Sequence, residues 1–263
     1  MALKDKKFFL LDMDGTIYLD DELFVGTVEF LELIKEKGGK YLFVTNNSSK
    51  GLEAYIEKMK RLGIEASKDD FLTSVDATIA YIRKYHNDKR FYCMGTKSFV
   101  STLLEEGIDI VTEIGEGIDG ILLGYDTELT YKKIDDVCRL LSTGDYIYIA
   151  TNPDITCPTS YGFVPDLGSI SVMIKNATGK MPHFIGKPEP DMILMALQKY
   201  GYKKDDAVMI GDRLYTDIAS GVNAGIDTVF VLSGEGTLDD LKMSEVKPTY
   251  VYEHISKILE TIK

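Results

Sequence analysis

The run Lys6–Thr16, KKFFLLDMDGT, sets the frame for this chain. Phe8 to Leu11 form an unbroken apolar stretch, and two acids, Asp12 and Asp14, stand where it gives way to Gly15 and Thr16. An apolar run closed by a glycine turn predicts a strand buried on both faces, ending where the acids begin. In an open α/β sheet ligands lie beyond the carboxyl ends of the strands, so acids in this position are placed for chemistry. With Asp-x-Asp spacing, one carboxylate can face a reacting atom while the other serves as acid or base. The pooled negative charge also suits a hard divalent cation. An ordinary Asp-Gly turn is the competing reading, and the dipeptide alone does not decide between them.

The same rhythm recurs along the chain. Val28, Leu31 and Ile34 mark an amphipathic helix stopped by Gly38-Gly39, and Tyr41–Val44 reads as a second strand. That strand ends in Thr45-Asn46-Asn47-Ser48-Ser49, ahead of a helix expected from about Lys50 to Leu62. Hydroxyls and amides at a strand end and helix start favour an anion; Ser48 or Ser49 capping the helix is the alternative. Phe71–Ser74 reads as a third strand, before a helix through Ala77 to Tyr85. From about Asn87 to Lys180 a separate βα alternation runs, with strands at Arg90–Met94, Asp119–Gly124 and Tyr146–Ala150. This stretch is too long for a loop and the right size for an inserted domain. Phe184-Ile185 then reads as a short strand before Gly186-Lys187-Pro188, and Ala207–Ile210 as another before Gly211-Asp212-Arg213, with Asp217 on the helix that follows. Strands alternating with helices predict a parallel sheet covered on both faces.

Composition narrows the partners. The 263 residues are 44% hydrophobic, enough for a substantial core, and the net charge is −12. Nucleic acid and anionic membrane reward basic surfaces, so neither is expected as a partner. The three cysteines, Cys93, Cys138 and Cys157, lack metal-ligand spacing and read as reduced thiols of a cytoplasmic protein. The N-terminus shows no signal-peptide pattern, and no apolar run approaches a membrane span.

If the strands ending in Asp12/Asp14, Thr45/Asn46, Lys187 and Asp212 are neighbours, their polar residues meet at one sheet edge, and charge assigns the roles. Asp12 can attack phosphorus as a carboxylate and Asp14 can protonate the leaving oxygen, then activate water. Thr45 and the Asn46 amide can hold the transferring oxygens, with Lys187 neutralising their charge. Magnesium held by Asp12, Asp212 and the Asp14 backbone carbonyl would offset repulsion between nucleophile and phosphate. Asp217 then stands behind them, orienting Lys187 or a metal-bound water. Taken singly, Lys187 also reads as a solvated loop residue and Asp212 as a helix cap.

In their order, DMDGT, FVTNNSS, GKPEP and GDRLYTD resemble the four motifs of the haloacid dehalogenase-like (HAD) phosphohydrolases. The insertion between the second and third motifs, with its TNPD stretch, is similar to the NagD-like branch, class IIA. The resemblance spans essentially the whole chain. It implies a Rossmann-like α/β core from residues 1–82 and 181–263, with an α/β cap inserted over 83–180. It further implies magnesium-dependent hydrolysis of small organic phosphomonoesters such as sugar phosphates, nucleotides or nitrophenyl phosphate. By the same match Asp12 is the nucleophile, Asp14 the general acid/base, Thr45 and Asn46 bind phosphate, Lys187 is the third-motif lysine and Asp212 the metal ligand. The second aspartate of the first motif fits a phosphatase rather than a dehalogenase. Dimerisation through the cap is compatible with the family.

The loop Asp154–Gly168 of the expected cap carries Pro158, Tyr161, Phe163 and Pro165 but no Lys or Arg, and is the candidate for contacting the leaving group. Packing of those aromatics into the cap's own core is the alternative. Three further readings share parts of the pattern. A phosphotransferase or mutase would keep water from the same intermediate. A signalling receiver is shorter and has no insertion, and a non-enzymatic binding module would not need every chemical residue.

Overall fold

The computed structural model describes residues 2–159 and 161–263; Met1 and Ser160, the latter within the loop 154–168, lie outside the described residues. In chain order the elements begin with β1 (Phe8–Leu11), a small hairpin of β2 (Tyr18–Leu19) and β3 (Glu22–Leu23), α1 (Thr27–Glu36), β4 (Lys40–Thr45), α2 (Leu52–Arg61) and β5 (Phe71–Thr73). Next come α3 (Ser74–Tyr85), β6 (Phe91–Met94), α4 (Lys97–Glu105), β7 (Ile110–Val111), β8 (Gly120–Leu123), α5 (Tyr131–Thr143) and β9 (Ile147–Ala150). A hairpin of β10 (Thr156–Thr159) and β11 (Gly162–Pro165) precedes α6 (Leu167–Thr178) and β12 (His183–Phe184). The chain closes with α7 (Asp191–Tyr200), β13 (Ala207–Gly211), a π-type turn (Leu214–Ile218) running into α8 (Ala219–Ala224), β14 (Asp227–Val231), α9 (Leu238–Met243), β15 (Tyr250–Tyr252) and α10 (Ile255–Ile262).

Packing divides the chain into two units. The first comprises Met1–Thr45, Leu52–Leu72 and Lys187–Lys263, the second Asn46–Gly51 and Thr73–Gly186. These borders differ from the expected ones at 82/83 and 180/181. Two interactions draw the flanking segments into the second unit. The Ser74 hydroxyl, at the start of α3, donates to the Asn46 carbonyl at 2.7 Å. The strand at His183–Phe184 pairs in parallel with Ile149 and Ala150, so it belongs to the second sheet and not, as expected, to the first.

The first unit holds a six-stranded sheet in the order β15-β14-β13-β1-β4-β5. The chain starts in the middle at β1, moves out through β4 to β5, and returns to the other side of β1 to lay down β13, β14 and β15. Pairings from β15 to β4 are parallel. Right-handed crossovers that reverse direction put helices on opposite faces, which explains the unbroken apolar runs. Phe9 and Leu11, with Tyr41, Phe43, Val208, Ile210, Val229 and Val231, pack in one cluster with Phe30, Ile34, Met59, Ile258 and Ile262 of α1, α2 and α10. Their alternates face the opposite way and are equally buried: Phe8 stacks on Tyr202, and Met209 lies against Gly221 of α8.

The second unit repeats the plan on a smaller scale, with five parallel strands ordered β12-β9-β8-β6-β7. Its core joins Tyr92, Met94, Ile121 and Leu123 of the sheet to Val137, Leu140 and Leu141 of α5 and Leu167, Ile170 and Ile174 of α6. Each sheet therefore has a point where the winding reverses, between β1 and β13 in the first and between β6 and β8 in the second. Such points are where doubly wound sheets bind ligands. Among the described residues no helix is long and apolar enough to cross a membrane.

Candidate active site

The winding reversal of the first sheet puts the two most acidic motifs side by side. Leu11 pairs with Ile210, so Asp12 and Asp212 leave adjacent strand ends. Asp217 joins them from the π-type turn after β13, an irregularity often found where a helix serves a functional site. Ligand oxygens of Asp12, Asp212 and Asp217 lie within 4.8 Å of one another.

Lys187 answers this charge, although its route differs from the expected one. It does not end a strand of this sheet, because the preceding strand, β12, belongs to the second unit. Its side chain is nevertheless only 2% exposed, and the ammonium donates to Asp12 Oδ1 at 2.6 Å, Asp217 Oδ1 at 2.6 Å and the Val44 carbonyl at 3.0 Å. A solvated loop lysine is therefore excluded. Burial opposes the Lys187 charge, but the Asp12 and Asp217 carboxylates outweigh it and hold its pKa above the ordinary lysine value.

Lys187 alone does not balance three carboxylates, and Arg213, which also favours the charged form of Asp212, is itself paired with Glu235 at 2.9 Å. Burial, then the Asp217 charge, raises Asp12 well above the usual carboxylate range, with Lys187 only partly opposing. Burial and Asp217 likewise push Asp212 up to about 7, against the Glu235 amide that donates to its Oδ2 at 2.7 Å. A buried set of hard oxygen donors with excess negative charge fits a divalent cation such as magnesium.

The surrounding backbone is shaped to this cluster. Gly15 has a φ of +86°, and a Cβ there would come within 2.6 Å of Asp212 Oδ2. At Gly234 a Cβ would meet the same oxygen at 2.0 Å, so only glycine lets the loop after β14 close over Asp212. Thr16, which sequence reasoning left without a role, lies between the two acids, its hydroxyl 3.5 Å from Asp12 Oδ2 and 3.4 Å from Asp212 Oδ1. Its place inside DMDGT was the available signal.

The remaining expected residues are placed differently. Thr45 closes β4, the strand next to β1, and is buried. Asn46 packs with the second unit, where its carboxamide oxygen lies close to Gly186. Helix α2 starts at Leu52, so neither Ser48 nor Ser49 caps it; the Ser48 hydroxyl instead contacts Thr151 Oγ1 at 2.8 Å and accepts from the Tyr125 amide. Asp14 stands apart from the acid cluster, with its side chain 38% exposed. Its Oδ2 accepts from the Tyr18 hydroxyl at 3.3 Å, and its Oδ1 lies 3.7 Å from Lys58 Nζ. Burial, with Asp14 beside it, lifts the Tyr18 phenol far above its ordinary pKa, so it remains a neutral donor.

This arrangement meets a close counterpart among known proteins. A family model described as haloacid dehalogenase-like hydrolase matches residues 9–109, and a second HAD-hydrolase-like model matches 184–258. The acid sugar phosphatase of Staphylococcus aureus (strain MRSA252) is 34% identical over 261 residues, covering 99% of this chain and 100% of that one. The chain belongs to the haloacid dehalogenase-like hydrolases. The crystal structure of 4-nitrophenylphosphatase from Thermotoga maritima superposes with a TM-score of 0.92 at 40% identity, covering 99% of both chains. A glycerol phosphate phosphatase from Mycobacterium tuberculosis, solved in complex with magnesium, gives 0.89 at 26% identity over 98% of this chain and 78% of its own.

Proposed function

We propose that this HAD-like hydrolase is a magnesium-dependent phosphatase of small organic phosphomonoesters, working through an aspartyl-phosphate on Asp12. The observation that carries this reading is the buried ion group at the winding reversal, where Lys187 lies 2.6 Å from both Asp12 and Asp217 and Asp212 completes an unbalanced set of acids. Three relatives named for sugar phosphate, 4-nitrophenyl phosphate and glycerol phosphate hydrolysis support the substrate class.

In this mechanism Asp12 attacks phosphorus, and its carboxylate is aimed by Lys187 and Thr16. Lys187, fixed by three acceptors, neutralises charge on the transferring phosphoryl oxygens. Thr45 and the Asn46 amide hold those oxygens. Asp14 gives its proton to the departing oxygen and then takes one from the hydrolytic water, help worth roughly 10²–10⁴-fold. Asp12, Asp212 and the Asp14 backbone carbonyl would hold magnesium, with Asp217 fixed behind them by Lys187 and the Arg213 amide. When bound, the ion supplies positive charge that lets two anions approach one another.

The loop after Asp154 is the part we assign to recognising the leaving group. Tyr161 and Phe163 are 80% and 59% exposed on the β10–β11 hairpin, not packed into the core of their unit. An aromatic face without Lys or Arg suits a neutral sugar or polyol better than a second anionic group. The reading also places the protein in the cytoplasm, its three cysteines free, and allows a homodimer. Phosphate release from a panel of phosphomonoesters, with magnesium and with EDTA, tests it. Turnover that needs magnesium and vanishes in Asp12→Asn is expected; turnover surviving that substitution would remove Asp12 from its role.

A further inference from the structure

Asp14 lies outside the acid cluster, yet two groups on other parts of the first unit hold it. Tyr18 follows it at the end of a tight loop: the Gly15 amide donates to the Tyr18 carbonyl at 2.8 Å, and the Thr16 and Ile17 amides to the Met13 carbonyl at 3.2 and 3.0 Å. This loop turns the Tyr18 ring into the core, where it is fully buried, and leaves its hydroxyl on Asp14 Oδ2. Lys58, from α2, lies across the same ring with Nζ 3.6 Å from the centroid, close enough for a cation–π contact. Its ammonium faces the other carboxyl oxygen, Oδ1. A phenol thus holds one side of the carboxyl and a cation the other, and the ring that carries the phenol also fixes the cation.

We propose that Tyr18 and Lys58 are positioning residues for Asp14, holding its carboxyl in the orientation proton transfer requires. The proposal rests on the phosphatase reading above. As an Asp12 oxygen bonds to phosphorus and the bond from phosphorus to the leaving oxygen breaks, the Asp14 proton passes to that leaving oxygen. In the second step water oxygen bonds to phosphorus, its proton goes to Asp14, and the phosphorus–oxygen bond to Asp12 breaks. Alcohol and phosphate leave, and both carboxyls return to their starting states. Orientation of Asp14 matters most when the leaving oxygen is a poor leaving group. An alkoxide must be protonated as it departs, whereas 4-nitrophenolate departs without a proton. Disturbing Tyr18 or Lys58 therefore has a signature that general damage to the fold lacks.

The test compares kcat/KM for glycerol phosphate and 4-nitrophenyl phosphate in the magnesium-loaded enzyme, because kcat/KM reports steps only up to departure of the leaving group. Tyr18→Phe and Lys58→Met are expected to lower the glycerol phosphate value by ~10–100-fold, while the 4-nitrophenyl phosphate value falls less than about threefold. Lys58→Arg should recover most of the loss, and Asp14→Asn should show the same selectivity more strongly. Lys58 is partly exposed, so its variants test the idea even if Tyr18→Phe fails to fold. Equal losses on both substrates, or no loss on either, would overturn the positioning role while Asp14→Asn still confirmed the mechanism. A wild type that hydrolysed neither ester would overturn both.

Discussion

At the reversal between β1 and β13 two of three clustered carboxylates share one buried ammonium, whereas at the matching reversal between β6 and β8 the acids find partners within their own unit. There the Asp126 side chain, fully buried, accepts from Lys133 at 2.7 Å and from the Glu128 amide at 2.8 Å. Glu128 in turn accepts from the Lys97 amide at the start of α4. Farther along the same sheet, the Asn152 amide bridges Asp154 and Asp166, each at 3.1 Å, and Asp166 caps α6. Two sheets wound by the same rule thus hold their acids differently, by one lysine among three carboxylates in the first and by lysine, backbone amides and an asparagine in the second. Architecture brings polar groups together in both, and at the first the crowding leaves Asp12 and Asp212 raised in pKa and suited to a cation and a phosphate.

Substitutions at matching places should separate chemistry from structure. The largest effect is expected for Asp12→Asn, which should reduce turnover by ~10⁴-fold or more while leaving the unfolding midpoint unchanged or higher. Asp126→Asn should do the reverse, costing about 1–3 kcal/mol of stability by calorimetry with kcat largely retained. If Asp126→Asn abolished turnover in folded protein, the contrast between the two reversals would collapse. Lys187→Met should combine both losses, because it removes catalytic charge and leaves Asp12 and Asp217 facing each other in the interior. We expect at least ~100-fold lower kcat and a lower melting temperature.

Asp212 sharpens the comparison through pH. Its carboxyl rises from an ordinary 3.8 to about 7 on folding without metal. The unfolded chain therefore ionises this group first. Its contribution to stability is complete below 3.8 and is lost as pH rises to about 7. Metal-free protein should show a falling melting temperature over that window, flattened in Asp212→Asn, and magnesium should restore the midpoint at neutral pH. A metal-free profile identical in wild type and Asp212→Asn would contradict the imbalance. The smallest effect belongs to the hairpin. Replacing Tyr161 and Phe163 with Ala should leave the melting temperature within a degree or two, because both are exposed, while raising KM for sugar phosphates. An unchanged KM would remove this loop from substrate recognition.

The sequence carried the first sheet well because its strands are buried on both faces and so read as unbroken apolar runs, as at Phe8–Leu11 and Ala207–Gly211. Short or exposed elements left weaker traces. The β10–β11 hairpin has intermediate or exposed residues throughout its strands, and α6 begins within a stretch that reads as loop, its start marked only by the Asp166 cap. The short strand expected at Phe184–Ile185 lies at His183–Phe184 and belongs to the second sheet rather than the first, since a two-residue strand carries no pattern that names its partner. Of the site, Asp12 and Asp212 were legible from their strand ends. The Asp217 partner of Lys187 was among the expectations, but the Lys187 contacts with Asp12 and the Val44 carbonyl, and the Tyr18 hydroxyl and Lys58 on Asp14, were not, because each depends on a side chain reaching across a distance in sequence or a turn geometry that spacing does not encode.

The measurement that goes to the centre of this account is identification of the phosphorylated residue. Enzyme mixed with labelled phosphomonoester and magnesium, quenched in acid during the first turnover and digested, should carry the phosphoryl group on the peptide containing Asp12. Borohydride reduction should then convert that residue to homoserine. Label on any other residue, or full turnover with no protein-bound phosphate at any quench time, would contradict the assignment of Asp12 as the nucleophile.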